Sequence, residues 1–361
     1  MPESGRGSLA EALRELTLAP GVPGQEGAVR DVLARRLSGV GEMERDGLGN
    51  LCCRAPGGSE RPRVGLAAHM DEIGLTVTDV TDDGFLRFLP LGGWWEQVML
   101  AQRVTVHSRT GVLDGVVGSK PPHLLSTDER RKIVEKKAMF IDIGAGSRRE
   151  AEEWGVRPGD AVVPVCPFVP LHNPDLVMAK ALDDRAGCAV LLEVLRRLAE
   201  VPHPNAVYGL ATVQEEVGLR GAEGAARSWP LDVAFALDVG IAGDTPGVSR
   251  DEARGRLGAG PSLCVVDASL VPNPRLRDFV ADVAAEEGIA VQWEAMPGGG
   301  TDAGRLQFAG HGVPSLYVGF PTRYIHSAAS VIHLGDLEAT VDLLVAVIRR
   351  LDAAAMEQIR P

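Results

Sequence analysis

The chain has 361 residues, 45% of them hydrophobic and 24% charged, which suits one large domain with a smaller one. Its formal net charge is −12, from 49 acidic and 37 basic residues. This balance argues against a nucleic-acid-binding surface, which needs clustered Lys and Arg. The N-terminal sequence lacks the apolar segment of a secretory signal, and no run has the length of a membrane span. We therefore expect a cytoplasmic protein that binds neither nucleic acid nor membrane.

The cysteine pattern also favours a reducing compartment. The count is odd, no pair has the CxxC spacing, and two of the five cysteines are adjacent; the five are Cys52, Cys53, Cys166, Cys188 and Cys264. Thiols in this pattern are expected to act as small hydrophobic side chains.

The chain begins with two predicted helices. Ser8 and Glu11 have the spacing of a capping box, which predicts the start of the first helix there. Apolar residues at helical spacing then mark the first helix at Leu9, Leu13 and Leu16, and the second at Val29, Val32, Leu33 and Leu37. A buried strand is predicted over Val64–Ala68, directly before His69.

After His69 the sequence pattern changes from helical spacing to short β-prone runs separated by Gly, Asp and Pro. We predict a small, barrel-like β module over residues 73–170, inserted into a larger domain made of residues 1–72 and 171–361. The charged segment Ser126–Lys137 is expected to be an exposed loop. The predicted strands are Leu75–Val80, Phe85–Leu89, Val104–His107, Val112–Val117, Ala138–Ile143 and Ala161–Val165.

Alternation of strands and helices returns after Pro170. Helices are predicted around Leu191–Leu198, Leu276–Val283 and Leu337–Ile348, and strands over Ala206–Val213, Val233–Leu237 and Val313–Val318. The fold class predicted for the larger domain is therefore α/β, with a mixed sheet flanked by helices.

Acidic and histidine side chains follow the predicted strands where each one ends. His69 and Asp71 come after the first strand, Glu215 and Glu216 after the second, and Asp238 after the third. Asp183 and Asp184 precede a predicted helix, and His326 follows the last strand. Sites in open α/β sheets form at the carboxyl ends of strands, so we expect these side chains to meet.

Each of these residues is a weak signal by itself, because adjacent carboxylates are usually on the surface and a lone histidine is usually structural. Their joint placement favours a metal site. Histidine and carboxylate ligands without thiolate suit zinc, cobalt or manganese, and the number of ligands suits two ions that share a carboxylate. Two ions could polarise a carbonyl and acidify a water, while one free carboxylate accepts the proton of that water.

Six segments together resemble the M42 family of metallo-aminopeptidases, and the resemblance is collinear from about residue 9 to residue 350. Lys120–Leu124, within the β module, also resembles the dimerisation domain of that family. The six segments are His69–Gly74, Ala181–Arg185, Gln214–Gly218, Asp238–Val239, Gly299–Ala303 and Arg323–Ser327.

The resemblance implies hydrolysis of the N-terminal residue of peptides with two divalent metal ions per chain, most simply zinc or cobalt. It implies that His69 and Asp238 bind one ion, that Glu216 and His326 bind the other, and that Asp183 bridges them. Glu215 would be the general base and Asp71 would orient His69. The residues implied near the substrate are Gly299, Gly300, Thr301 and Asp302.

The resemblance also has structural implications. It implies a cis peptide bond between Asp183 and Asp184, and dimers, formed through the β module, that build a hollow tetrahedral dodecamer. Ala328 departs from the family, which often has proline after the residue equivalent to Ser327; the departure affects a loop and leaves the expected ligands intact.

Three other functions are compatible with parts of the pattern. A related two-metal amidohydrolase could remove an acyl group from small molecules with the same ligands and base. A glycosidase could use Glu215 with a second carboxylate, but such a pair needs no histidine, and the chain has only 16 aromatic residues for stacking on sugars. A non-catalytic scaffold would normally lack a ligand or the base, and neither is missing.

Overall fold

The computed structural model describes residues 5–360. The helices of this part are α1 (Gly5–Leu18), α2 (Gly27–Arg36), α3 (Thr127–Arg130), α4 (Arg148–Glu153), α5 (Leu182–Leu198), α6 (Arg220–Ser228), α7 (Pro274–Glu287), α8 (Ala303–Leu306), α9 (Leu334–Arg350) and α10 (Ala353–Ile359). None of them is both long enough and apolar enough to cross a membrane.

The strands of the first half are β1 (Glu42–Arg45), β2 (Leu51–Ala55), β3 (Arg63–His69), β4 (Gly74–Val80), β5 (Leu86–Leu91), β6 (Arg103–Ser108), β7 (Gly111–Gly118), β8 (Phe140–Asp142) and β9 (Ala161–Pro164). Those of the second half are β10 (Val169–Pro170), β11 (Leu176–Ala179), β12 (Ala206–Thr212), β13 (Val233–Ile241), β14 (Ser262–Asp267), β15 (Gln292–Met296), β16 (Ser315–Arg323) and β17 (Ser330–His333).

A mixed sheet forms the centre of the larger unit, in the order β1-β2-β12-β3-β13-β16-β17-β11-β10, with β14 beside β16 and β15 beside β14. Its four central strands, β12, β3, β13 and β16, are parallel, so their carboxyl ends share one edge. β17 is antiparallel to both β16 and β11, and β11 therefore ends at that same edge.

Helices cover both faces of this sheet, which explains why the central strands are continuously apolar. On β3, Leu66 and Ala68 pack into the core beneath α1, α5 and α9. Ala67, between them, points to the opposite face and packs into the core beneath α6 and α8. The fold class predicted from the sequence is confirmed.

The β-rich region closes into a barrel in the order β4-β5-β8-β7-β6-β9. Its own apolar core includes Leu75, Val106 and Ile141. Ala328, the departure noted above, is 5% exposed and packs into this core, so the loop after His326 contacts the barrel.

Two local predictions differ from the structure, and some strands were not predicted at all. α1 already includes Gly5, so Ser8 lies inside the helix, where its Oγ accepts a hydrogen bond from Arg196; the predicted capping box is wrong. In the predicted loop, Ser126 caps the short helix α3 with a capping box of its own. Neither β14 nor β15 was expected. The first four residues of the predicted 1–72 segment lie outside the described residues, as does Pro361 at the end of the chain.

Candidate metal centre and cleft

The side chains predicted from the sequence converge at the shared carboxyl edge of the parallel strands. His69 is the last residue of β3 and pairs with Thr212, so Glu215 and Glu216 follow just beyond it on the neighbouring strand. Ala67 pairs with Ala236, which places His69 and Asp238 at the same level of adjacent strands. The strand order alone therefore brings residues far apart in sequence to one site.

One cluster contains His69, Asp183 and Asp238, with ligand-type atoms all within 4.8 Å of one another. His69 Nε2 lies 3.1 Å from Asp183 Oδ1 and 3.9 Å from Asp238 Oδ1. His69 and Asp238 are buried, at 2% and 7% exposure. The other ring nitrogen, Nδ1, lies 3.0 Å from the backbone oxygen of Asp71, which fixes the plane of the imidazole.

A second cluster contains Asp183, Glu216 and His326. His326 Nε2 lies 3.4 Å from Asp183 Oδ2 and 3.5 Å from Glu216 Oε2. His326 has a positive φ of 56°, and its Nδ1 lies 3.1 Å from the carbonyl oxygen of Gly93, in the connection between β5 and β6 of the barrel. Asp183 belongs to both clusters and uses a different carboxylate oxygen toward each histidine.

Asp71 holds the loop that carries the two glutamates. Its carboxylate oxygens accept hydrogen bonds from the backbone N–H groups of Glu215, at 2.9 Å, and Glu216, at 3.1 Å. Its Oδ1 is 3.5 Å from His69 Nδ1, farther than its own backbone oxygen. Asp71 thus organises the Glu215–Glu216 turn directly, an interaction that the sequence did not reveal.

Asp184 holds the backbone of one of the predicted metal ligands, His69, in place. The peptide bond between Asp183 and Asp184 is cis, as predicted, and both residues depart from helical geometry at the start of α5. Asp184 accepts hydrogen bonds from the backbone N–H of His69, at 3.1 Å, and of Gly187, at 2.9 Å. A Cβ at Gly187 would come within 2.4 Å of both carboxylate oxygens, so this position requires glycine.

A buried ion cluster lies behind the site and was also missed in the sequence. Glu72 accepts hydrogen bonds from Lys180 Nζ at 2.6 and 2.8 Å and from Arg185 at 3.3 Å. Arg185 also donates to the carbonyl oxygens of Leu16, Ala19 and Gly21 at the end of α1. The only signal in the sequence is the placement of these charges beside the predicted ligands.

The clusters open into a cleft of about 820 Å³. Gly299, Gly300 and Thr301, which were predicted to lie near the substrate, line this cleft. Asp302 does not line it, because its side chain is buried and accepts a 2.5 Å hydrogen bond from Thr212 Oγ1. The far wall comes from segments that the sequence did not indicate, namely β14, β15 and residues 251–255.

The centre carries an excess of buried carboxylates. Burial raises the pKa of Glu216 to about 8, and it raises the pKa of Glu215 and Asp238 well above the usual range. Burial also opposes ionisation of Asp183, but hydrogen bonds with His326 and His69 outweigh it and lower its pKa. A bound cation would offset this concentration of negative charge.

The donor set fits divalent metal ions. Two histidine nitrogens and three carboxylates are the ligand types of zinc and related ions, and Asp183 can supply one oxygen to each of two sites. Glu216 Oε1 is buried and has no hydrogen-bond partner, which leaves it free to act as a ligand. The fold and this centre together define a hydrolase of the metallopeptidase class.

Comparison with known proteins assigns the family. Residues 49–343 match the model of the M42 glutamyl aminopeptidase family. The chain is 36% identical to the glutamyl aminopeptidase of Lactococcus lactis, over 98% of this chain and 99% of that protein. It is 36% identical to the lysyl aminopeptidase of Pyrococcus furiosus, over 94% of this chain and 97% of that protein. The chain belongs to the M42 family and is an aminopeptidase.

Solved structures agree with this assignment. The TET aminopeptidase of the Thaumarchaeota archaeon SCGC AB-539-E09 superposes with a TM-score of 0.96 at 44% identity, covering 99% of this chain and 100% of that one. The TET1 peptidase of Pyrococcus horikoshii superposes with a TM-score of 0.85 at 36% identity, covering 95% and 100%; it can assemble into a tetrahedron or a large octahedral shell.

Proposed function

We propose that the chain removes N-terminal residues from peptides with two divalent metal ions, zinc or cobalt, bound at the two clusters. The observation that carries this proposal is the shared position of Asp183, between His69 and Asp238 on one side and Glu216 and His326 on the other. When bound, such ions supply Lewis acidity to the scissile carbonyl and acidify a water molecule.

Glu215 is the residue best placed to move the proton. It belongs to neither cluster, yet its Oε2 is 3.9 Å from His69 Nε2, inside the cleft. Burial raises its pKa, with Asp238, Asp302 and Glu216 adding to the effect and His69 opposing it. A carboxylate of raised basicity can take a proton from water and return it to the leaving amine. Asp71 fixes the backbone of Glu215 for this role.

Substrate binding is assigned to the segment of the cleft lining that contains residues 299–301. Gly299, Gly300 and Thr301 line the same cleft as Asp183 with backbone and small side chains, which suits an extended peptide end. Asp302 was predicted for the same role, but it supports the wall through Thr212 and does not reach the cleft. A deacylase of small molecules would use the same centre and differs in requiring an acylated amine.

We further propose that residues 73–170 form the dimerisation domain, set between the two parts, 1–72 and 171–361, of the catalytic domain. The barrel carries exposed apolar side chains that its own core does not use: Leu89, Val112, Val116, Leu124 and Ile133. Exposed apolar groups on one module favour burial against another copy. Assembly into a dodecamer, of the kind TET peptidases form, would restrict the cleft to short or unfolded peptides.

A cytoplasmic location is consistent with the cysteines. All five are buried as free thiols, although Cys52 and Cys53 are adjacent in β2. Burial raises the pKa of both thiols, that of Cys53 to about 11, so neither is a reactive thiolate.

Metal loading tests the proposed centre. Chelator-treated protein should lose hydrolysis of aminoacyl chromogenic substrates and regain it with zinc or cobalt, and elemental analysis should then approach two ions per chain. His326→Ala should reduce the content toward one ion, because Glu216 and Asp183 lose their only histidine partner in that cluster. Full activity in chelator, with metal content near zero, would reject the proposal; activity on N-acylated amino acids alone would favour the deacylase.

A further inference from the structure

A carboxylate that the proposed chemistry does not use lines the far wall of the cleft. Glu294, on β15, lines the cleft together with Asp238 and Ile241 of β13. Its Oε1 accepts a 3.1 Å hydrogen bond from the backbone N–H of Ile241, and its Oε2 is 3.4 Å from Tyr317 Oη. Tyr317 donates a hydrogen bond to the carbonyl oxygen of Val239, which fixes the tyrosine ring. The Glu294 carboxylate is therefore held between two groups of fixed position.

Two glycines make room for this carboxylate. A Cβ at Gly240 would lie 2.4 and 2.6 Å from the two oxygens of Glu294. A Cβ at Gly319, on the adjacent strand β16, would lie 2.3 Å from Tyr317 Oη and 3.2 Å from Glu294 Oε2. The sheet surface therefore has no side chains where the Glu294 carboxylate packs against it. The absence of side chains at Gly240 and Gly319 leaves the space that this carboxylate fills.

The position is one side-chain length from the metal ligands. Asp238 and Gly240 lie on the same face of β13, two residues apart, which is about 6.8 Å along a strand. A substrate whose first carbonyl lies at the metal centre has its α-amine within two bonds of that carbonyl. The distance to Glu294 thus suits the end of a long side chain better than the α-amine.

The carboxylate of Glu294 has no cationic partner among residues 7–360, whose side chains the structure describes. No Lys, Arg or His nitrogen in that range lies within 4.0 Å of it, and its contacts are Ile241 N and Tyr317 Oη. The nearby wall adds Asp251 and Glu252, against a single cation, Arg254, whose side chain is exposed at the rim. Glu294 is therefore the acid held in place inside the cleft, the complement of a cationic side chain. Asp251 and Glu252 are exposed, so solvent screens their charges.

We infer that Glu294 is a specificity-determining residue that selects peptides with lysine or arginine at the N-terminus. The inference rests on the proposed aminopeptidase function and adds the substrate class. A charge-assisted hydrogen bond in a partly desolvated pocket discriminates more strongly than contact with an alkyl chain of equal length. Lysine and norleucine differ mainly in that terminal ammonium, so they isolate its contribution.

The test compares kcat/KM for lysyl, arginyl, norleucyl and glutamyl p-nitroanilides with metal-loaded enzyme. The lysyl substrate should exceed the norleucyl one roughly ten- to a hundred-fold, and Glu294→Gln should bring that ratio close to one. Glu252→Gln is the matched control: it removes the same charge from the exposed rim and should leave the ratio within about three-fold.

The possible outcomes separate the lysine preference from the proposed aminopeptidase function. Equal lysyl and norleucyl rates in the unaltered enzyme, or a preference for the glutamyl substrate, would overturn the inference while the aminopeptidase function stands. An equal loss of the ratio in Glu252→Gln would also overturn it, because the preference would then come from the general field of the wall. Failure to hydrolyse any aminoacyl substrate would overturn the proposed function itself.

Discussion

Glu215 and Glu216 are neighbours in sequence with different surroundings. Asp71 accepts hydrogen bonds from both backbone amides, which fixes the turn and directs the two carboxylates separately. Glu216 Oε2 lies 3.5 Å from His326, whereas Glu215 Oε2 is 3.9 Å from His69 and outside both clusters. The two residues therefore allow a matched pair of substitutions that remove the same charge from the same cleft.

Glu215→Gln and Glu216→Gln should separate proton transfer from metal binding. Glu215→Gln keeps size and hydrogen bonding but cannot accept a proton, so kcat should fall by roughly 10²–10⁴-fold with metal content unchanged. Glu216→Gln should weaken one metal site, seen as a lower stoichiometry in elemental analysis. Loss of metal in Glu215→Gln with full retention in Glu216→Gln would reverse the two assignments.

The inferred lysine preference should depend on pH through Glu294. Burial raises the pKa of this carboxyl to about 7, opposed by the hydrogen bond from the backbone N–H of Ile241 and by the nearby hydroxyl of Tyr317. A carboxyl with a raised pKa is neutral below that value and charged above it, while the lysine side chain stays charged throughout. The lysyl-to-norleucyl ratio of kcat/KM should therefore fall as pH decreases from 8 to 6.

The ratio cancels titrations at the metal centre, which affect both substrates alike. The other charged groups that line the same wall are Asp238, Asp251, Glu252 and Arg254. In Glu294→Gln the ratio should stay flat over the same pH range. A ratio that keeps its slope in this variant would assign the titration to one of those other groups.

At the scale of elements, the start of α5 contributes to the site through close packing of the Asp184 carboxylate against Gly187. The Asp184 carboxylate accepts hydrogen bonds from the backbone N–H groups of His69 and Gly187. It fits in this position because Gly187 has no side chain to displace it. Helix propensity alone favours alanine over glycine in a helix interior by about 1 kcal/mol. The two effects oppose each other at this position and can be compared directly.

Gly187→Ala should lower both the thermal stability and the metal affinity, because the Cβ would displace Asp184 and, through it, the backbone of His69. Gly7→Ala in α1 is the control, since that residue is exposed and a Cβ there meets nothing within 4 Å. The control should keep or slightly raise the melting temperature, measured by calorimetry. Equal stabilisation by both substitutions would show that the Asp184 contact contributes little.

The elements that position the metal ligands were predictable because each follows a strand with a strong apolar pattern. β3, β12 and β13 are buried on both faces, so their sequences are largely apolar runs. His69 ends β3, and Glu215 lies just after β12, whereas Asp238 lies within β13, which continues beyond the predicted strand end to Ile241. β14 contains an apolar run of the same kind, over residues 263–266, which was overlooked. β15 lacked such a signal, because it alternates partly exposed and exposed residues, with a charged group at Glu294. Its placement depends on pairing with β14, which no local pattern encodes.

Contacts between distant segments were likewise beyond the sequence. Asp71 was expected to orient His69, and its backbone oxygen contacts that ring. Its carboxylate also accepts hydrogen bonds from the amides of Glu215 and Glu216, which are 144 and 145 residues away in sequence and were not expected as partners. The cluster of Glu72, Lys180 and Arg185 spans more than a hundred residues. Such pairings depend on the order of the strands in the sheet. Residue types and spacing report only on neighbouring residues in the sequence, so they do not predict these contacts.

At the scale of the whole molecule, the apolar face of the barrel is the feature that one chain leaves uncovered. On β7 the outward side chains alternate with inward ones, and Val112 and Val116 are 60% and 39% exposed. The two valines share one strand face, on either side of exposed Asp114, and Leu124 and Ile133 of the same module are also exposed, so this surface of the proposed dimerisation module is rich in apolar groups. A lone chain of 38.2 kDa would leave this surface in water.

Substituting both valines should therefore disrupt assembly and leave the cleft intact. We expect the unaltered chain to elute well above 38.2 kDa at micromolar concentration in size exclusion with light scattering. Val112→Lys with Val116→Lys should shift it toward smaller species, because burying lysines against a second copy is costly. Val271→Lys, at a 78% exposed valine outside the barrel, should leave the mass unchanged. A monomeric unaltered chain, or equal masses for all three proteins, would contradict assembly through this face of the barrel.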